Sequence, residues 1–338
     1  RSKMNDHTAI GPMLAWALGD AYGAGFEYAR GKVVKAHNDL SGYIQHQKWT
    51  EMKPGNYTDD TQMALAIAEH MIAGSDWNPS LLADAWVEGF HRDKRAGYAG
   101  GFYKFLCETT SAHEFLDNIR PGSNKSGGAM RAFPVGLLPD IEQVRDLAMF
   151  QASLTHATHD GMYAAAAAAL MFHHRYHRLG PKADLPAFLT KWLPGVYLDV
   201  AWKGKVNAPG LECVRAALTA FMLHNNMADV LKQCIAWTGD VDTVAAICMA
   251  TAAVCQETGN GLPQVLIDGL ENGDYGRDYL IDIDHQLRAE YPRVSERDED
   301  LEARRAAKRA ARAKTVTPPD DGDDGDDEPG PLDFLFDD

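Results

Sequence analysis

The chain has 338 residues, 45% of them hydrophobic, enough to bury a substantial core, and this excludes collagen-like, disulfide-scaffold and globally disordered readings. Its 33 basic residues against 48 acidic ones leave a net charge of −15, which argues against a surface built for nucleic acid or an anionic membrane. Much of the acidity is terminal: residues 315–338 hold ten acidic and no basic side chains, 291–314 hold eight basic and five acidic ones, and the first 290 residues are only mildly acidic.

In chain order, Arg1-Ser2-Lys3 ahead of Met4 reads as a cloning remnant, and residues 1–10 as a lead into the fold. Ala/Leu/Met-rich helical patterns follow at 13–18, 61–72, 80–90, 161–174, 211–223, 228–237 and 243–256, with few strand signals between them. The alanine run 164–169 and the nearly all-apolar 247–254 suit helices surrounded by other helices. These signals predict an all-α multi-helix bundle in one domain, residues 11–290, because the Gly/Pro/Asn linkers inside it are too short for a domain boundary. Residues 291–314 read as a charged helix, and 315–338 as an acidic disordered tail. The tail ends in Phe334-Leu335-Phe336, an apolar tip on an acidic tether similar to the C-terminal tails of bacterial single-stranded DNA-binding proteins. A solubilising disordered end is the preferred reading, since acidic tails are common and the match lacks a defined motif, with recruitment of a protein partner as the alternative.

Five cysteines without a C-x-x-C pair predict buried thiols of a reducing compartment. With no apolar run near membrane-spanning length and no signal-like segment, the expected location is cytoplasmic, away from membranes.

Two acidic clusters open apolar helices: Thr58-Asp59-Asp60-Thr61 and Gly239-Asp240-Val241-Asp242-Thr243. Either alone reads as helix capping. Together they offer more oxygens than capping needs, and converging carboxylates repel unless a cation neutralises them. Sets of Asp and Thr without His or Cys suit hard, oxygen-seeking Mg²⁺ or Mn²⁺ and not zinc.

The order of five segments carries a resemblance. Gly11-Pro12-Met13-Leu14-Ala15-Trp16-Ala17-Leu18-Gly19-Asp20-Ala21-Tyr22-Gly23-Ala24-Gly25-Phe26-Glu27, Thr58-Asp59-Asp60-Thr61, Gly127-Gly128-Ala129-Met130-Arg131, Leu154-Thr155-His156 and Gly239-Asp240-Val241-Asp242-Thr243 together resemble the ADP-ribosylglycohydrolase family, over about residues 11–287. The resemblance implies an orthogonal helical bundle with two Mg²⁺ or Mn²⁺ ions. Thr58, Asp59 and Asp60 would hold them from one side and Asp240, Asp242 and Thr243 from the other. It implies Glu27 or Asp60 as the proton-transferring carboxylate, and His156 near a diphosphate or ribose. Gly127, Gly128, Met130 and Arg131 suit a substrate cleft, with helix capping as the alternative for Arg131. Tyr98 and Gly100 suit an adenine-stacking segment, or equally a core-packing helix start. The loop 203–211 aligns with a family region bordering the substrate, although Asn207-Ala208-Pro209 departs from the usual pattern. His173, His174 and His177 read as surface residues.

The function expected from the resemblance is hydrolysis of the bond joining ADP-ribose to an acceptor, an arginine on a protein first. ADP-ribosylated serine, a nucleobase or a free nucleotide are alternative substrates. Two readings of other classes stand beside it: an ADP-ribose-binding or structural module of the same fold, and a dinuclear-metal phosphohydrolase that would release phosphate.

Overall fold

The computed structural model describes residues 10–296, 305 and 307–309. One compact unit ends at Glu296. Most of the charged 291–314 segment and the whole acidic tail, Phe334, Leu335 and Phe336 included, lie outside the described residues. Among the described residues there are helices and isolated β-bridges but no strand. In order they are α1 (Pro12–Ala24), α2 (Gly31–His37), α3 (Asp59–Ile72), α4 (Pro79–Arg92), α5 (Gly100–Glu108), α6 (Ala112–Asn118) and α7 (Ile141–His156). There follow α8 (His159–Tyr176), α9 (Leu185–Trp192), α10 (Gly210–Leu223), α11 (Met227–Ala236), α12 (Val241–Ala253), α13 (Gln264–Gly269) and α14 (Arg277–Glu290). The all-α expectation holds.

The centre of the bundle is the pair α1 and α12, each buried around its whole circumference. Two glycines permit the approach: a Cβ at Gly19 would lie 2.5 Å from the Ala245 carbonyl oxygen, and one at Gly23 would lie 2.4 Å from Asp242 Cα. The backbones therefore meet directly, and the start of α12 is fixed against α1. Helices α8, α10 and α11 enclose α12, and the alanine run 164–169 is wholly buried in α8. Helix α8 begins at Thr158, whose Oγ1 accepts the Gly161 N–H at 3.1 Å, and α7 begins at Asp140, whose Oδ1 accepts the Gln143 N–H at 2.8 Å.

Two sequence expectations are corrected by this burial. His173, His174 and His177 are buried, because α8 is covered through its last turn. His173 Nδ1 pairs with the Gly136 carbonyl at 2.9 Å and His177 Nε2 with the Leu138 carbonyl at 3.0 Å, so these rings satisfy backbone groups of the preceding segment. Burial lowers His173, and it pulls His174 down to about 4, so both are neutral at physiological pH. Four cysteines are buried as expected, but Cys107 near the end of α5 is exposed.

The N-terminus of α1 begins at Gly11 without a side-chain cap of its own. Asp284 of α14 supplies one from 271 residues away, Oδ1 accepting the Met13 N–H at 2.7 Å and Oδ2 the Leu14 N–H at 3.0 Å. Burial lifts this carboxyl to about 7, against the pull of both hydrogen bonds. The folded chain therefore holds a proton that the unfolded chain has released between pH about 4 and about 7, and stability falls as pH rises through that window. Asp284→Asn is expected to cost roughly 1–3 kcal/mol, since the amide nitrogen cannot accept an N–H where either oxygen of the acid can. Denaturant titrations at several pH values should show its stability gap to wild type narrowing as pH rises; a gap that widens would contradict the assignment.

Candidate metal centre and substrate cleft

Asp20 is a charged residue in an otherwise apolar helix, and it is fully buried. It receives four hydrogen bonds from the start of α3: Oδ1 accepts Thr58 Oγ1–H at 2.7 Å, and Oδ2 accepts the Thr58 N–H at 2.9 Å, the Thr61 N–H at 3.0 Å and Thr61 Oγ1–H at 2.6 Å. Thr58 also caps α3, its Oγ1 accepting the Asp60 N–H at 3.4 Å. Capping is thus accomplished by Asp20 and Thr58, and Asp59 and Asp60 are left over.

The second cluster behaves similarly. Asp240 stands at the N-cap of α12 but makes no side-chain capping bond. Its Oδ2 accepts instead from Ser126 Oγ–H at 2.9 Å and Cys213 Sγ–H at 3.3 Å. Asp242 Oδ1 is buried with no hydrogen-bond partner. Thr243 Oγ1–H donates to Asp60 Oδ2 at 2.8 Å, joining the two clusters across 183 residues. The convergence that the sequence reading assumed is therefore present.

Asp59, Asp60, Asp240, Asp242 and Glu27 all line one cleft of about 600 Å³. Oxygens of Glu27, Asp240 and Asp242 lie within 4.8 Å of one another. Burial comes first in raising all four aspartates, and charge repulsion adds to it, chiefly from Asp20 on Asp59 and Asp60 and from Glu27 on Asp240 and Asp242. Asp59, Asp60 and Asp242 stand well above the usual carboxylate range, and Asp240 rises to about 6. A buried, all-oxygen, mutually repelling set with an orphaned oxygen has the chemistry that a hard divalent cation satisfies.

The remaining cleft lining grades from buried acid to exposed base. Lys48, Arg120 and Lys125 are exposed at its edge, while Ser126, Gly127, Met130 and His156 lie further in. Loop 203–211 reaches both sides of the site: the Asp240 N–H donates to the Val206 carbonyl at 3.2 Å, the Ser126 N–H donates to the Ala208 carbonyl at 2.9 Å, and Ala208 lines the cleft. Burial, Arg131 and Lys125 pull His156 down to about 3, keeping it neutral.

Of the expected substrate residues, Gly100, Gly127, Met130, Arg131 and His156 line the cleft. Tyr98 does not. Its ring is buried against Phe90 and Phe102 with its hydroxyl donating to Gln62 Oε1 at 2.8 Å, which is the core-packing reading, and Phe102 faces the cleft in its place. Gly128 lies behind the wall, its carbonyl accepting from Gln151 Nε2 at 2.8 Å. Arg131 caps no helix: its guanidinium is buried over the Trp86 ring at 4.0 Å and spends its donors on Gln151, Thr155 and Met63.

Sequence reasoning gave no role to Asp20, although a lone aspartate in an apolar helix is a usable signal. It also missed His46, which nothing in the sequence announces. His46 Nδ1 accepts the Lys48 and Trp49 N–H groups at 2.9 and 3.0 Å, so Nε2 carries the proton and donates to Glu27 Oε2 at 2.8 Å. Glu27 is thereby held at the cleft.

The sequence profile of the ADP-ribosylglycohydrolase family matches residues 3–297. The chain belongs to the ADP-ribosylglycohydrolase family. Among its relatives, the ADP-ribosyl-[dinitrogen reductase] glycohydrolase of Rhodospirillum rubrum is 24% identical over 250 residues, covering 71% of this chain and 82% of that protein. Human ADP-ribosylhydrolase ARH3 is 29% identical over 176 residues, covering 46% of each chain. A solved structure described as an ADP-ribosylglycohydrolase-related protein complex has a TM-score of 0.65 at 22% identity, covering 82% of this chain and 95% of that one. The bundle is thus the fold of this family, and membership supports an ADP-ribosyl hydrolase activity. No described helix is long and apolar enough to cross a membrane.

The cluster makes a prediction independent of catalysis. Magnesium at a hundred times its dissociation constant should stabilise the chain by about 2.7 kcal/mol. Asp242→Asn should abolish that gain while raising stability in EDTA, because it removes repulsion. Thermal unfolding with and without metal distinguishes this from a structural role, for which the variant would be less stable in both conditions.

Proposed function

We propose that the protein is a metal-dependent hydrolase that removes ADP-ribose from a modified acceptor, arginine on a protein first. The observation that carries this reading is the polarity of a single cleft, with buried carboxylates at depth and exposed Lys48, Arg120 and Lys125 at the edge. A ligand suited to it has hydroxyls or a cation at one end and anionic oxygens at the other, as an ADP-ribosyl arginine does. The family membership and the two named hydrolases support the same conclusion.

Asp59, Asp60, Asp240 and Asp242, with Thr243, would hold two Mg²⁺ or Mn²⁺ ions, while Thr58, buried outside the cleft lining with its hydroxyl engaged by Asp20 and the Asp60 N–H, would support them from behind. Bound there, the ions would supply a template for ribose hydroxyls and polarisation of a water. The chain's own residues would do the rest. Lys125 and Arg120 would neutralise the diphosphate, and Phe102 offers a ring face to the base. Glu27 is a better candidate than Asp60 for moving the proton. It is less buried, it lines the cleft, and His46 fixes its orientation, whereas Asp60 Oδ2 is already engaged by Thr243. In hydrolysis the water oxygen bonds to the anomeric carbon as the bond to the acceptor nitrogen breaks. The water proton passes to the Glu27 carboxylate, the guanidine leaves neutral, and it then takes up that proton, which returns Glu27 to its carboxylate form. The acidic surroundings of Glu27, Asp240 and Asp242 favour an acceptor that is bound as a cationic guanidinium over an uncharged one, and half-exposed Tyr28 lines the cleft next to Glu27.

The test is release of free ADP-ribose from an ADP-ribosylarginine protein in Mg²⁺ and in EDTA. Release should require metal and should vanish in Asp59→Ala and Asp240→Ala. Glu27→Gln should reduce kcat by about 10²–10⁴-fold with little change in ADP-ribose affinity, the span of a lost acid–base group. Phosphate in place of ADP-ribose would indicate the phosphohydrolase, and binding without turnover on any linkage the non-enzymatic module.

A further inference from the structure

A buried chain of three side chains leads from the core to the cleft. Arg131, which can only donate, uses Nε on Gln151 Oε1 at 2.6 Å, Nη1 on Met63 Sδ at 3.6 Å, and Nη2 on the Gln151 carbonyl at 3.0 Å and Thr155 Oγ1 at 2.7 Å. Thr155 Oγ1 therefore accepts from the guanidinium and has one proton left to give. Its other neighbour is His156 Nδ1 at 2.7 Å. If Nδ1 carried the proton instead, two donors would converge on one hydroxyl oxygen whose own hydrogen has no acceptor in this network. Only one arrangement uses every donor: Arg131 to Thr155, and Thr155 to His156 Nδ1.

That arrangement assigns the imidazole proton to Nε2. The Nε2 edge of the ring lies against Gly127, where an added Cβ would be 2.5 Å from Cε1 and 2.7 Å from Nε2, so only glycine leaves this edge uncovered. Gln151 holds the same corner from behind, its Nε2 donating to the Gly128 carbonyl at 2.8 Å and the Ala148 carbonyl at 3.1 Å. We propose that Arg131 and Thr155 are positioning residues that lock His156 in the Nε2–H tautomer, making it a donor-only contact for an anionic oxygen of the ligand beside Lys125. The identity of that oxygen as a phosphate oxygen rests on the function proposed above; the tautomer lock does not.

The lock also accounts for Arg131. A buried guanidinium without a carboxylate partner is costly, and a purely structural site of this shape would be better filled by an apolar residue. Here its charge orients the Thr155 hydroxyl and disfavours a second proton on His156. Burial brings Arg131 itself down to about 9, which leaves it charged at neutral pH.

The experiment uses the full chain with ¹⁵N-labelled histidine, and His156 assigned through His156→Gln. Two-bond ¹H–¹⁵N correlation spectra should show Nδ1 unprotonated and Nε2 protonated across the neutral pH range. Thr155→Val, which keeps the shape and removes the hydroxyl, should release the ring into a mixture of tautomers, and Thr155→Ser should restore the wild-type pattern. Calorimetric titration with ADP-ribose should show affinity about three- to tenfold weaker in Thr155→Val, the worth of one hydrogen bond, and recovered in Thr155→Ser. A wild-type ring protonated on Nδ1, or a tautomer unchanged in Thr155→Val, would overturn the lock; if Thr155→Val does not fold, the wild-type spectrum decides alone. Absence of ADP-ribose binding with the tautomer as stated would count against the proposed function and leave the lock standing.

Discussion

The four hydrogen bonds that Asp20 accepts from Thr58 and Thr61 are the constraint on which the site depends. A buried carboxylate is expensive unless its lone pairs are filled, and filling these requires the first turn of α3 to be where it is. The same helix, one turn further on, brings Gly23 against Asp242 Cα at the start of α12. Helix α1 is therefore the template for both acidic segments. One is placed by a hydrogen-bonded charge, the other by the close approach that glycine allows. The cleft carboxylates come together because both of their helices are referenced to α1, and their mutual repulsion is tolerated because α1 and α12 are packed on all sides.

This separates stability from function within a single first turn. At α3 the capping work falls to Thr58 and Asp20, and at α12 Asp240 forgoes capping for Ser126 and Cys213. Carboxylates that do not cap their helices and face one another with only neutral hydrogen-bond partners, buried where charge repulsion raises their proton affinity, destabilise the metal-free chain. Such groups are arranged for something that arrives, and a cation is the simplest arrival that reverses the sign of the interaction.

The sequence made legible whatever depended on local pattern and on ordered motifs. Helices α3, α4, α8, α10 and α11 are legible in the apolar pattern nearly to their ends, whereas α1, expected over 13–18, runs on to Ala24; both acidic clusters sit at helix starts. Helices α7 and α14 were missed because their apolar stripes run beside Glu, Gln, Arg and Asp, which dilutes the periodic signal without preventing burial of one face. Tyr98 was ambiguous because a ring beside glycines suits a ligand or a core, and only its contact with Gln62 decides between them. The buried histidines of α8 were misread because a His-rich helix end looks solvated until its neighbours are known. His46 reaches Glu27 through loop geometry, for which sequence spacing offers no periodicity at all.

Backbone strain marks the place where these pieces are joined. Tyr28, Thr238 and Gly239 all have positive φ, at 50°, 61° and 97°, in two segments that carry Glu27 and Asp240. The Tyr28 N–H donates to the Gly239 carbonyl at 2.8 Å, and the Val206 N–H donates to the Thr238 carbonyl at 3.0 Å. For Tyr28 and Thr238 the left-handed conformation costs of order 1–3 kcal/mol each, and it persists only where surrounding contacts over-determine it. Here the contacts are the site itself: Glu27 held by His46 on one side of the joint, and Asp240 held by Ser126 on the other. The strain is thus the local counterpart of the Asp20 constraint, since both hold acidic groups closer together than electrostatics alone would leave them.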